Sequence, residues 1–491
     1  MGFDNSGESV GCVALYKGAQ AGMPVPRRGV GRDRARTFAP SGLEEGCSGR
    51  KFLASRVEGA LGFASQRAKL KIPVERTAEF SARRMPSVVR LCVLLLIFVG
   101  AASERAAAQA TSLVNEDKEI EPVVRALCGK RVALLGETPV HGFGETLKFK
   151  VEVVHRLVDE CHYNALFWES GIYDYVNIEK KLKSGHDVTG AMISAAIGGL
   201  WANREVQPLV PFLRERVMAG RLTLGGLDDQ IGAHSYASRE MSSDLVESLR
   251  GDERSRCFAV LQRHLRWQYT DDSPYGPSDK TKLLGCLDEI EHRLSQPGES
   301  KKSWPEEDKA MVESLKRNLA RDFTEDDWAK NDQKVKWAND RDRSMYLNFE
   351  WLYSRLPRNS KVIVWAATVH VAKDLSSVSG FDGRVPFGSY IKRDFGDRVF
   401  SLGFSAYSGE YEFIHPPVKE LSAAPISALE GQVFAERDSD TIYLSRKQLR
   451  KCGTVAARLL GTDFNTARWD QVVDGLIVFR KERAPSWLIP R

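Results

Sequence analysis

The feature that most constrains how this chain can fold is a pattern that recurs four times: a short apolar run that breaks off into glycine or a charged side chain. Val132 to Leu135 ("VALL") opens into Gly136, and "NALFWES" (164–170) ends with Glu169. "RLTLGGLDDQ" (221–230) and "KVIVWAATVHVAK" (361–373) repeat the motif. Runs of four to eight apolar residues that stop at turn formers are the pattern of buried strands ending in loops. Between the first two, Leu147, Val151, Val154, Leu157 and Val158 recur at threes and fours, which predicts a helix over 145–160. A strand, helix, strand order predicts a parallel pair joined by a right-handed crossover, and helical segments precede the third and fourth runs too. The expected fold class is α/β, a central, mostly parallel sheet covered by helices on both faces.

Two further regions extend this frame. Residues 238–356 are charged and mostly helical in pattern, broken by "YTDDSPYGPSDK" (269–280) and "SQPGESKKSWPEED" (295–308), and read as a helical insertion capping the sheet. Past Gly396, "DRVFSLGFSAYSGEYEF" alternates and turns like a C-terminal β hairpin, and "DGLIVFR" (474–480) reads as a last strand.

The N-terminal region reads differently. Residues 1–84 are rich in Gly, Arg and Ser and lack a sustained apolar period. They precede Met85, Arg90, an apolar stretch from Leu91 to Ala102 and an Ala108-Gln109-Ala110 end. That is the three-part order of a secretory signal, with an apolar core short for a membrane span. The expectation is that translation starts at Met85, that 1–84 is upstream sequence, that 85–110 is removed, and that one domain occupies 111–491. The mature protein is then secreted or periplasmic, without a stable membrane anchor. Residues 1–110 carry 17 Lys+Arg against 9 Asp+Glu, which leaves 54 basic and 56 acidic side chains in the remainder. The basic excess belongs to the leader, so no basic stripe argues for a nucleic-acid partner. Cys128, Cys161, Cys257, Cys286 and Cys452 lack C-x-x-C spacing. They signal neither a zinc site nor a disulfide framework, though an exported chain has room for one or two bridges.

In open α/β sheets ligands bind beyond the carboxyl ends of the strands, where Glu137, His141, Glu169, Asp228 and His370 all fall. In "LLGETPVHGFGE" (134–145), Pro139, Gly142 and Gly144 allow a tight turn that exposes the imidazole. A carboxylate beside a histidine fixes its tautomer and raises its proton affinity, as a general base requires. A loop histidine with one hydrogen bond is the plainer alternative. His155, His162, His186, His264, His292 and His415 are assigned to surface or packing roles, and His234 is left undecided. "GESVG" (7–11) matches a nucleophile-elbow pattern but lies in the leader with no strand before it or helix after it. P-loop, H-E-x-x-H and G-x-G-x-x-G patterns are absent.

The stretch from "LLGETPVHGFGE" to "FWES" resembles the N-terminal signature of the erythromycin esterase family. The similarity continues through "GLWANREVQPLVPFLRE" (199–215, with Trp201 and Glu205), "LTLGGLDDQ", "RDRSMYLNFEWL" (341–352), "KVIVWAATVHVAK" and "WDQVVDGLIVF" (469–479). The resemblance implies hydrolysis of a small-molecule ester or lactone by a water that a histidine activates. By position, His141 is the base, with Glu137, Glu169 and His370 as the other catalytic residues and Lys150, Trp201 and Asp228 as substrate contacts. No serine nucleophile or cofactor is required, although Glu137, His141, Glu169 and His370 have the donor set to gather a divalent cation. Two departures stand out. The Glu137–His141 loop has one residue more than the family pattern, and Ala367 stands where the late motif carries its first histidine. Ala367 favours the alternative reading, a non-catalytic ligand-, metal- or haem-binding protein on the same scaffold.

Overall fold

The computed structural model describes residues 119–296, 304–321, 330–413, 417–435 and 437–488. The segments read from sequence as upstream extension (1–84) and signal (85–110), together with His415, lie outside them.

The apolar runs do become strands. Those of the main sheet are β1 (Val132–Leu135), β2 (Ala165–Gly171), β3 (Thr223–Asp228), β4 (Val362–Trp365), β5 (Val399–Tyr411), β6 (Lys419–Leu421), β7 (Thr441–Ser445) and β10 (Gly475–Glu482). β8 (Thr454–Ala457) and β9 (Asn465–Arg468) form a separate antiparallel pair. The main sheet runs in the order β3-β2-β4-β1-β5-β10-β7, with β6 alongside the end of β5. All of its strands are parallel except β6 and β7. One expectation is corrected: β1 and β2 are parallel but not neighbours, because β4 lies between them, Leu135 pairing Trp365 on one side and Trp168 pairing Trp365 on the other. The predicted hairpin forms as β5 and β6, with Gly409 opposite Leu421.

The two faces of the strands explain the helices. Ala133, Leu135, Leu166, Trp168, Ile363 and Trp365 point to one face. There they pack with α1 (Gly144–Asp159), through Leu147, Val154 and Leu157, and with α3 (Leu209–Met218), through Leu213 and Val217. Val132, Leu134, Phe167, Val362 and Val364 point to the other face. It is covered by α7 (Asn331–Ser354), through Met345, Phe349 and Leu352, and by α9 (Phe387–Phe395), through Phe387 and Ile391. This period-two division on strands buried on both sides is what makes the runs read as continuously apolar.

The described part of 238–356 is mostly helical. α2 (Ile172–Lys183), which leaves β2, supplies Ile172, Tyr173 and Val176 to a core shared with α4 (Gly251–Leu265), α5 (Pro277–Leu294) and α6 (Pro305–Ala320). Two disulfides, Cys128–Cys161 and Cys257–Cys286, brace the chain; Cys452 is exposed and unbridged. Among the described residues no helix is long and apolar enough to cross a membrane.

Candidate active site

The loop after β1 is shaped by close approaches. A Cβ on Gly136 would come within 2.6 Å of Thr368 Oγ1, and one on Gly142 within 2.1 Å of the Glu412 carbonyl oxygen. The chain turns between them, His141 N donating to Thr138 O at 2.9 Å. His141 has a φ of +49°. For a non-glycine residue this left-handed conformation costs about 1–2 kcal/mol, and histidine is among the residues that enter it more readily. The turn accommodates the additional loop residue, and His141 Nδ1 lies 2.7 Å from Glu137 Oε1.

Glu137 is the hub of this half of the site. Its Oε1 also accepts from Trp201 Nε1 at 2.8 Å, and its Oε2 accepts from Lys150 Nζ at 2.9 Å. Burial opposes its charge, but Lys150 and His141 outweigh that and hold its pKa below the usual carboxylate value. An ionised carboxylate can only accept, so Nδ1 of His141 is the donor in this contact. Lys150, from α1, is fully buried and sits 4.2 Å over the Trp365 ring. Burial pulls its pKa down to about 8 against the opposing pull of Glu137.

The exit of β4 stitches this loop to the neighbouring strand end. Thr368 N donates to Glu137 O at 2.6 Å, and Ala367 N donates to Glu169 Oε2 at 2.7 Å. At Ala367 it is therefore the backbone that binds the strand-end carboxylate. Glu169 begins the second half of the site. Its Oε1 accepts from Arg341 Nη2 at 2.9 Å and lies 3.1 Å from His370 Nε2. Arg341 also holds Asp228, with Nη2 2.6 Å and Nε 3.2 Å from Oδ2. His370 Nδ1 lies 2.7 Å from Asp342 Oδ1, which also accepts from Phe387 N at 3.0 Å.

The protonation state of His370 decides how this cluster is wired. Arg341 Nη1 is 2.8 Å from His370 Nε2, a hydrogen bond only if that nitrogen is bare. Burial disfavours the imidazolium, but Glu169 and Asp342 outweigh both it and Arg341 and raise the pKa to about 9. At neutral pH His370 is therefore the cation, donating to Asp342 and Glu169, while Arg341 reaches the same Glu169 oxygen through Nη2. Burial likewise opposes charge on Glu169, and His370 and Arg341 hold its pKa well below the ordinary value.

The structure thus gathers Glu137, His141, Glu169, Asp228 and His370 at the carboxyl ends of β1, β2, β3 and β4. The three expected substrate contacts each bond to a partner within the protein. Lys150 and Trp201 engage Glu137, and Asp228 engages Arg341; all three are buried. Arg341 and Asp342 were not singled out from the sequence. Their signal was available, since both stand among Ala338, Met345, Phe349 and Leu352 on the buried stripe of α7, where a charge needs a partner. His234 is exposed, and His155 stacks on Phe212 at 4.2 Å.

The sequence model of the erythromycin esterase family matches residues 158–479. Among characterised sequences, the Bacillus subtilis (strain 168) protein "Putative hydrolase YbfO" is 24% identical over 363 residues, 67% of this chain and 77% of that one. A Bacillus cereus crystal structure superposes with a TM-score of 0.56 at 17% identity, over 75% of this chain and 93% of the other. An erythromycin esterase EreC mutant in its open conformation gives 0.53 at 15%, over 76% and 95%. At these identities the structural likenesses speak for the fold alone.

Proposed function

Because the chain belongs to the erythromycin esterase family, whose model spans well over half of it, we propose that it hydrolyses a carboxylic ester or lactone with water activated by His141. The observation that supports this reading is the Glu137–His141 contact of 2.7 Å, in which the carboxylate accepts from Nδ1 and Nε2 is the nitrogen turned away from it. Water bound at Nε2 gives up a proton to it as the water oxygen adds to the carbonyl carbon. The resulting imidazolium is stabilised by Glu137 and returns the proton to the departing alkoxide, leaving acid and alcohol. Lys150 and Trp201 act on Glu137 rather than on substrate. His370 and Arg341 are balanced by Glu169, Asp228 and Asp342 and fix the strand-end carboxylates beside the loop.

Export belongs to the same proposal. Removal of 85–110 leaves Thr111 as the first residue, and the Cys128–Cys161 and Cys257–Cys286 bridges suit an oxidising compartment. The test is a panel of chromogenic esters and lactones with protein beginning at Thr111, beside its His141→Ala variant. Hydrolysis by the first and near loss in the second is expected. Equal rates would remove His141 from the chemistry, and no hydrolysis by either would turn the reading toward a binding protein.

A further inference from the structure

The first turn of α1 follows directly on His141, yet its N-cap residue, Phe143, provides no side-chain cap. The exposed backbone donors of a helix start need acceptors from somewhere, and here they come from the far end of the chain. Gly144 N donates to Arg483 O at 2.7 Å, Glu145 N to Glu482 Oε2 at 2.9 Å and Thr146 N to Glu482 Oε1 at 3.1 Å. Thr146 Oγ1 adds a bond of 2.6 Å to the same carboxylate, and Arg483 Nε reaches Glu145 Oε1 at 2.6 Å.

The chain then crosses to a second element. Asn203 and Trp487 form an antiparallel bridge, Arg204 N donates to Ser486 O at 2.8 Å, and Leu488 N donates to Ala202 O at 3.1 Å. Ser486 N donates in turn to Glu205 Oε2 at 2.9 Å. Glu205 belongs to the "GLWANRE" motif, whose Trp201 points inward to Glu137 while Glu205 faces the tail. Residues 482–488 therefore tie together α1, which carries Lys150 and follows His141, and the segment that carries Trp201. Lys150, His141 and Trp201 are the three groups that hold the Glu137 carboxylate. The tail and the His141 loop both lie outside residues 158–479 matched by the family model.

We infer that the C-terminal segment 482–488 is a positioning strap for the Glu137–His141 pair, with Glu205 as its anchoring residue. The inference rests on reading that pair as the reactive one, so its test uses a signal that needs no substrate: hydrogen exchange of the Trp201 indole N–H, followed by NMR against the backbone amides of β4. In a chain ending at Glu482 the indole exchange accelerates by about tenfold or more, as expected for loss of order worth one or two hydrogen bonds, while β4 keeps its protection. Glu205→Ala gives a smaller acceleration and Glu205→Gln, which retains an acceptor, restores the original rate. If the shortened chain does not fold, the Glu205 pair of variants decides. Unchanged indole exchange in the shortened chain or in Glu205→Ala overturns the inference, as does acceleration shared equally by β4. Loss of hydrolysis alone bears on the activity, not on the strap.

Discussion

At Glu137 one carboxylate gathers three donors, from His141, Lys150 and Trp201; at Arg341 one guanidinium is divided between Glu169 and Asp228 and lies against His370. The two clusters occupy adjacent strand ends and are equally buried, yet they push their cations in opposite directions. Lys150 bonds to a single carboxylate, burial wins, and its pKa falls to about 8. His370 lies between two carboxylates, their attraction wins, and its pKa rises to about 9. What separates them is how many anions each cation touches: Lys150 contacts Glu137 and feels Glu169 only from farther away, whereas His370 contacts both Glu169 and Asp342, with burial common to both. The consequence for chemistry is direct. Glu137 contacts one nitrogen of His141, Nδ1, whereas both nitrogens of His370 face carboxylates within the protein. On the proposed reading the first cluster reacts and the second holds charge in place.

The sharpest way to break that contrast is to remove each centre and ask what fails. His141→Ala should lower turnover by roughly 10²–10⁴-fold while the urea midpoint moves far less than on loss of Arg341, because Glu137 keeps two donors, Lys150 and Trp201. Arg341→Met should do the reverse in kind. It takes from Asp228 its cationic partner and from Glu169 one of several partners, and loss of one member of a buried ionic cluster costs about 3–5 kcal/mol, read as a large drop in the urea midpoint. A His141→Ala protein that unfolds easily, or an Arg341→Met protein as stable as the parent, would erase the distinction.

A pH series sharpens it further. The folded pKa of His370, about 9, lies above the 6.5 of an ordinary imidazole. Its contribution to stability is therefore fully present below pH 6.5 and is lost as the pH rises through about 9. The parent and His370→Gln should differ in unfolding free energy by on the order of 2–3 kcal/mol at pH 6 and converge near pH 9.5. A constant gap across that range would mean that His370 is held neutral, accepting from Arg341.

Much of the first cluster was legible in the sequence and less of the second, for a physical reason. Glu137, His141 and Lys150 come from one strand, loop and helix in succession, so local pattern carries them near each other. Glu169, Asp228, Arg341 and His370 come from four separate elements. Strand-end position exposed three of them, but Arg341 sits inside a long polar helix, and only its place on the buried stripe of α7 marked it. The neighbour order of strands was likewise unreadable at β1 and β2, because adjacency in sequence says nothing of a later strand, β4, inserting between them. The disulfides depend on where distant helices and strand entries meet, which cysteine spacing does not encode. That Lys150 and Trp201 bond to Glu137 was not legible either, because a polar atom near a pocket can face a ligand or a buried partner and sequence does not say which.

The mildest test concerns that last point. Trp201 packs its ring on His141 at a centroid distance of 5.1 Å and on Trp168 at 5.5 Å, and its Nε1 donates to Glu137. Trp201→Phe keeps most of the ring contact and deletes the donor. Glu137 retains Lys150 and His141, so the fold should hold, but the carboxylate loses the bond that fixes its Oε1 toward Nδ1. One hydrogen bond to a charged group is worth about 1.5–3 kcal/mol when the partner is left wanting, and less when two donors remain. The expected outcome is a fall in kcat of about tenfold with KM nearly unchanged. If KM rose with kcat intact, Trp201 would be a substrate contact after all, and the first cluster would open to the ligand through its indole as well as through His141.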